Sequence, residues 1–158
     1  MSGTTEYLQR KGIPFETIEH ERAFTPVEEA RTVGIPTHLV VKTLVLDTKW
    51  GRVLAVVPGD RRLDMRLVRE AVGDHHARLA TEEEIRAEFP SFELGCLPPL
   101  GMMLGLPVYV DGHVLRHEEV VFAAGSSGEA VRARTVDLFD HEHVTVAHIA
   151  TEPVREYV

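Results

Sequence analysis

The sequence predicts an α+β fold on a mixed, curved β-sheet, and three observations carry that prediction. Stretches with strand character outnumber those with helix character. They arrive mostly in hairpins, with helices interspersed and no regular βαβ alternation. No glycine fingerprint for a dinucleotide or a P-loop phosphate is present, which argues against a doubly wound nucleotide fold.

Taken in order, Thr5 to Lys11 reads as a short helix stopped by Gly12. Pro14 to His20 reads as a first strand. Thr25-Pro26-Val27-Glu28 combines a capping box with proline at the first helical position, opening a helix to Val33 that Gly34 ends.

Leu39 to Leu46 is the central strand. Seven of its eight residues are aliphatic or β-branched, the pattern of a strand covered on both faces. Lys42 interrupts it. Strand alternation puts Lys42 on the face of Val40, Leu44 and Leu46. There an ammonium must snorkel to an edge, find an anion or lower its pKa. Two readings stand: a lysine snorkelling out, or one aimed into a pocket that takes a negative group.

Asp47 to Gly51 is a turn signal, and Arg52 to Val57 pairs back as a hairpin before Pro58-Gly59-Asp60 breaks it. Asp64 caps a helix that ends at Gly73, with Met65, Val68, Ala71 and Val72 as its core face and Arg62, Arg66 and Arg69 on another. His76 to Leu79 is a short strand. Thr81 to Glu84 is a second capping box, opening a helix to Phe89. Pro90 to Gly101 is irregular, and a loop of that length in a small domain often carries function. Leu106 to Val110 is a strand closed by Asp111-Gly112, and Val120 to Ala124 with Ala130 to Arg134 form a hairpin. Thr135 caps a short helix to Asp140, Val144 to Ile149 is the last strand, and Thr151 to Val158 is a frayed tail.

The 158 residues set one domain as the expectation, with 44% apolar and 27% charged residues, ordinary for a soluble globular protein. No apolar run approaches twenty residues, and the N-terminus lacks a signal-peptide layout, so a cytoplasmic protein without a membrane span is expected. The single cysteine, Cys96, excludes an internal disulfide and a multi-cysteine zinc site. A net charge of −8 argues against broad duplex DNA binding. A local basic patch remains open, because Lys49, Arg52, Arg61, Arg62, Arg66 and Arg69 lie close in sequence; ordinary solvated charges are the other reading.

Three stretches are candidates for chemistry. The first is Lys42. The second is Gly95-Cys96-Leu97-Pro98-Pro99 with Gly101 after it. Glycine frees the backbone, proline fixes it, and the amides of Gly95, Cys96 or Leu97 can serve a carbonyl oxygen as an oxyanion hole does. A plain surface connection is the competing reading. The third is Ala124-Gly125-Ser126, either a ligand-admitting strand end or a tight hairpin. Cys96 has no basic sequence neighbour to activate it as a nucleophile. His141-Glu142-His143, His113 with His117, and His75-His76 lack an H-E-x-x-H signature, so no metal is expected. There is no G-x-S-x-G elbow.

An ordered set of segments runs through these candidates. Val41-Lys42-Thr43-Leu44-Val45 is followed by Val56-Val57-Pro58-Gly59-Asp60 with Leu63-Asp64, then Gly95 to Gly101, then Phe122-Ala123-Ala124-Gly125-Ser126. The set resembles the YbaK family, the prolyl-tRNA synthetase-associated editing domains, over about residues 4 to 149. His20 and Thr25 look like that family's first strand and helix. The resemblance implies a partly barrel-like sheet ringed by helices, and hydrolysis of the ester between a wrong amino acid and the terminal adenosine of a tRNA, often tRNA for proline. It implies a free-standing version acting in trans on the acceptor end, with no cofactor, and with a synthetase or elongation factor as a possible helper. Lys42 would be the family's key lysine, engaging the phosphate or ribose side. Gly95 and Pro99 would open and close the loop that holds the aminoacyl carbonyl. Cys96, Leu97, Pro98, Gly101, Thr43, Asp60, Gly125 and Ser126 would complete the substrate site, with Arg61, Arg62 and Arg66 as weak RNA contacts. Leu97, Met102, Met103 and Phe92 would shape a side-chain pocket or else belong to the core. The nucleophile would be water or a substrate hydroxyl. Two other classes stay open: a non-catalytic module binding a tRNA end or nucleotide, and a metal-dependent hydrolase using His141 and His143.

Overall fold

The computed structural model describes residues 2–140 and 143–153. The chain runs α1 (Gly3–Arg10), β1 (Glu16–Glu19), α2 (Pro26–Val33), β2 (Val41–Thr48), β3 (Gly51–Pro58), α3 (Met65–Val72) and β4 (Arg78–Leu79). It continues through α4 (Glu82–Glu88), α5 (Gly101–Leu104), β5 (Val108–Asp111), β6 (Glu119–Ala123), β7 (Glu129–Arg134), α6 (Thr135–Phe139) and β8 (Val144–Ala147). The α+β expectation holds, with its sheet divided in two. One sheet has the order β4-β2-β3-β5-β8, the other β1-β7-β6. They meet at a parallel bridge between Val40 and Val121, and no closed barrel forms among the described residues. The larger sheet is mixed: β2 and β3 are an antiparallel hairpin, whereas β3–β5 and β5–β8 are parallel.

The two-sided burial expected of β2 is visible residue by residue. Val41 and Val45, with Leu54 and Val56 of β3, pack with α1, β6 and β7 in one core. Leu46, with Val53, Ala55 and Val57, packs on Val68 and Val72 of α3 in a second. A strand with cores on both faces needs apolar side chains at both parities, hence the nearly unbroken run. No helix among the described residues is long and apolar enough to cross a membrane.

Helix caps follow the sequence with two differences, and three other boundaries shift. Thr25 accepts from the Glu28 amide, but the Glu28 carboxylate reaches back to the Phe24 amide rather than closing a full capping box. Thr81 and Glu84 do form the reciprocal box. Thr135 lies inside α6 instead of capping it, because its hydroxyl donates to the His117 carbonyl. Ala71 is exposed, so the core face of α3 narrows to Val68 and Val72 with Met65 and Leu67 partly covered. Leu39 belongs to a 3-10 turn, Thr37–Leu39, and not to the central strand. Thr151, expected to open a frayed tail, is held instead: its amide donates to the Arg62 carbonyl and its hydroxyl accepts from the Arg62 amide. Residues 154–158, like His141 and Glu142, lie outside the described residues.

Gly59 explains how β3 meets α2. A Cβ there would sit 2.6 Å from Pro26 Cβ, 2.8 Å from the Val40 carbonyl and 2.9 Å from that of Thr37. The Gly59 amide donates to the Val40 carbonyl at 2.6 Å. Only glycine lets the end of the hairpin press against the first turn of α2, and that contact sets one wall of the site below.

Candidate functional site

The edge of β2 opposite β3 is paired by β4 only at Leu46 and Asp47. Between that point and the Val40–Val121 bridge to β6, the edge around Lys42 carries no ladder pairing among the described residues, and a hollow of about 370 Å³, open mouth included, lies there. Val41, Lys42 and Thr43 form one wall, Gly95, Cys96 and Leu97 a second, and Phe24, Thr25, Pro26 and Glu29 a third. The lysine and the glycine loop, more than fifty residues apart in sequence, border one space. Lys42 is half-buried, and no described carboxylate lies within 4.0 Å of its ammonium. A cation on an apolar strand without a counter-ion is suited to receive an anionic ligand.

The loop is no surface connection. Residues 96–101 are buried, with Leu97 and Leu100 in the main core. Gly95 has φ +82, a conformation other residues adopt at a cost. The Cys96 amide is already bonded to the Glu93 carbonyl at 3.0 Å, which removes it from the expected oxyanion donors. The amides of Gly95 and Leu97 have no acceptor among the described residues. Burial pushes the Cys96 thiol up to about 11, with Glu93 and Glu29 adding to the rise and Lys42 opposing it. A thiol so raised is protonated at neutral pH and is no nucleophile.

Glu93 fixes the loop. Its amide donates to the Gly125 carbonyl at 2.8 Å, its carboxylate accepts from the Ser127 amide at 3.2 Å, and Arg22 reaches it at 3.3 Å. Hydrogen bonding from Ser127 holds its pKa below the ordinary carboxylate range, with Arg22 assisting. The turn between β6 and β7 therefore acts through Ser127, itself bonded to Arg22 Nε at 3.1 Å, on the loop of the site.

Several expected residues lie elsewhere. Gly125 and Ser126 line a different hollow with Phe92 and Met103. Gly125 has φ +102 and a Cβ there would meet Phe92 at 3.2 Å, so the turn's backbone and close packing account for that glycine. Met102 is exposed, so of the proposed side-chain pocket only Leu97 borders the Lys42 hollow. Pro98, Pro99 and Gly101 are buried behind the loop and shape it without lining the hollow. Asp60 and Arg61 line a third space with His38, His113 and His117. The basic patch does not assemble. Arg52 pairs with Asp47, Glu84 and Glu88, Arg69 bonds the Ala77 carbonyl and Arg61 that of Thr151, leaving Arg62 and Arg66 exposed.

Two residues of the hollow were not singled out from the sequence. Phe24 is 64% exposed at its wall. Glu29 is buried, and its Oε1 has no hydrogen-bond partner. Desolvation raises the Glu29 pKa, only partly offset by His20. The available signal was positional: Glu29 sits three residues after Pro26 and four before Val33, on the inward face of α2. Thr43 Oγ1 is a further buried atom without a partner on the same hollow. Among the described residues no group of three or more His, Cys, Asp or Glu side chains could hold a metal.

Comparison with known proteins adds to this geometry. Residues 20–141 match the family model described as aminoacyl-tRNA editing domain. A protein of Enterococcus faecalis (strain ATCC 700802 / V583) named "Putative Cys-tRNA(Pro)/Cys-tRNA(Cys) deacylase EbsC" is 26% identical over 149 residues, covering 92% of this chain and 90% of that protein. A proline–tRNA ligase of Thermosipho africanus (strain TCF52B) is 37% identical over 86 residues, 51% of this chain but only 15% of the ligase. The crystal structure titled "a putative trans-editing enzyme for prolyl tRNA synthetase" superposes with a TM-score of 0.83 at 30% identity, covering 96% of this chain and 99% of that one. The hypothetical protein APE2540, at 23% identity and TM-score 0.84, shares the fold.

Proposed function

This chain belongs to the aminoacyl-tRNA editing domain family, and from that premise we propose that it is a deacylase. In this reading it hydrolyses the ester of mischarged tRNA in trans, in the cytoplasm, with tRNA for proline as the leading substrate. The observation that carries the reading is the shared hollow of Lys42 and the Gly95–Leu97 loop.

Lys42 takes the terminal phosphate or a ribose oxygen, gaining the counter-ion its strand lacks. The free amides of Gly95 and Leu97 donate to the aminoacyl carbonyl oxygen as it becomes an oxyanion. Water, or a substrate hydroxyl acting first, adds to the carbonyl carbon. The carbon–oxygen ester bond then breaks, the ribose oxygen leaves with a proton, and free amino acid and uncharged tRNA result. Neither Cys96 nor a metal is needed for this step. Phe24 offers an exposed aromatic face to the terminal base, since stacking on aromatic rings is the common way unpaired RNA is held. The net charge of −8 leaves only a local grip on RNA, with Arg62 and Arg66 as peripheral phosphate contacts and room for a synthetase or elongation factor as helper.

The test is a panel of alanyl-, seryl-, cysteinyl- and prolyl-tRNA with the purified protein, reading released amino acid. Turnover of at least one mischarged ester, lost in K42M, supports the reading. Binding without release by any member of the panel assigns the hollow to a non-catalytic module instead.

A further inference from the structure

Among the described residues, Glu29 is a buried acid on the wall of the hollow that no role above accounts for. Its side chain is 9% exposed, it lines the Lys42 hollow, and its Oε1 has no hydrogen-bond partner. Behind it stands His20, 4% exposed, with Nε2 at 3.8 Å from that oxygen and likewise without a partner. The other ring nitrogen, Nδ1, lies 2.5 Å from the Glu21 carbonyl oxygen. A carbonyl only accepts, so Nδ1 carries a proton and is turned away from Glu29. Nε2 and Oε1 face each other at 3.8 Å, too long for a hydrogen bond, so the Glu29 oxygen has no donor among the described residues. Burying acceptors without donors is costly, and a carboxylate most of all. A donor-rich cation fits the arrangement: an ammonium has three N–H groups and no lone pair.

We propose that Glu29, backed by His20, receives the α-ammonium of the substrate's amino acid, so that the hollow selects esters of free amino acids. The inference rests on the deacylase reading and adds the part of the substrate it leaves unassigned. The hollow then carries two opposite charges more than 4.0 Å apart, the Lys42 ammonium on β2 and the Glu29 carboxylate on α2. An aminoacylated RNA end carries the complementary pair, a phosphodiester anion and an α-ammonium. Burial holds the Glu29 pKa above its ordinary value, and a neighbouring ammonium reverses that shift, so substrate arrival favours the charged form. Glu29 is a recognition residue in this assignment; the water and the breaking bond belong to the opposite wall.

The discriminating probe is an isosteric pair. Nitrous acid converts the primary amine of an alanyl- or seryl-tRNA, through loss of N2 and capture of water, to a hydroxyl, giving the α-hydroxy ester of nearly the same size without the charge. The fastest ester of the panel is compared with its α-hydroxy counterpart, in the wild type and in E29Q. The expected result is a wild-type preference for the amine of about tenfold or more in kcat/KM, expressed mainly in KM, as a charge-assisted hydrogen bond supplies. E29Q removes the preference by slowing the amine ester while the hydroxy ester changes far less. Equal rates on the two esters in the wild type, a comparison that needs no variant, overturn this assignment and leave the deacylase standing. Equal losses on both esters in folded E29Q overturn it too, since that pattern belongs to chemistry or packing. No release from any charged tRNA overturns the deacylase reading, and this one with it.

Discussion

Replacing Lys42 by methionine separates what this residue does for the fold from what it does for a ligand. Methionine keeps the unbranched stem along β2 and removes only the ammonium. No described carboxylate lies within 4.0 Å, so the change strands no partner. Losing a half-buried, unpaired cation should leave stability within about 1 kcal/mol of the wild type, or raise it. The effect on turnover is of another size. A hydrogen bond from an ionised donor contributes roughly 1.5–3 kcal/mol, which is about 10- to 150-fold in kcat/KM. Single-turnover release of labelled amino acid, run beside thermal unfolding, measures both. K42R should also lose activity, because a planar guanidinium presents its donors in a different geometry from a compact ammonium between Thr43 and the Gly95 loop. The ammonium also holds the Cys96 thiol down, so alkylation of Cys96 should slow further in K42M. Activity within about threefold of wild type in a folded K42M, measured as fold-change in rate, would refute the reasoning. So would a large loss of stability, which would make Lys42 a structural residue.

Other residues carry sharper structural expectations. G59A places a Cβ within 3.0 Å of Pro26 Cβ and two backbone carbonyls, and should cost at least the ~1–3 kcal/mol of overpacking, read as a fall in denaturant midpoint. C96A should keep activity within a few-fold, and the wild-type thiol should resist iodoacetamide at neutral pH and react only near its pKa of about 11 or on unfolding. Asp111 is fully buried, with one carboxylate oxygen accepting the amides of Ile149 and Ala150 and the other facing His113. Burial alone would raise its pKa, but these hydrogen bonds outweigh it and hold it below the ordinary value. Its stabilisation is therefore complete above the unfolded pKa near ~4 and is lost as pH falls through the folded one. D111N should lower Tm near neutrality, by roughly 1–3 kcal/mol of lost bonding, and flatten the acid side of the Tm–pH curve. E93Q should loosen the Gly95 loop from Arg22 and Ser127 and lower kcat more than it lowers Tm.

The fold class, the order of elements and most helix ends were legible because they depend on neighbours in sequence. Gly34 and Gly73 end their helices with positive φ, Thr81 and Asp64 cap theirs, and the apolar parity of β2 and β3 announces two covered faces. Thr135 failed as a cap because a distant carbonyl, that of His117, claimed its hydroxyl. The arginines within residues 52–69 read as a patch because spacing shows charge but not partners; Glu84 and Glu88 had taken Arg52.

The site divides in the same way. An ammonium within an aliphatic run is anomalous in any context, and a loop that sets a free glycine three residues before a stiff proline pair is a fixed shape, so Lys42 and Gly95 stood out without coordinates. Glu29 did not, since an acid in the first turns of a helix is commonplace and only burial makes it unusual. Gly125 and Asp60 were drawn toward the site by their place in the order of segments, but order along a chain does not fix which surfaces face one another. Local patterns thus determined the strands, the caps and the odd residues. The tertiary structure decided which odd residues share a space, because the Lys42 hollow lies where β4 stops short of Lys42 and Gly59 lets α2 close the far side.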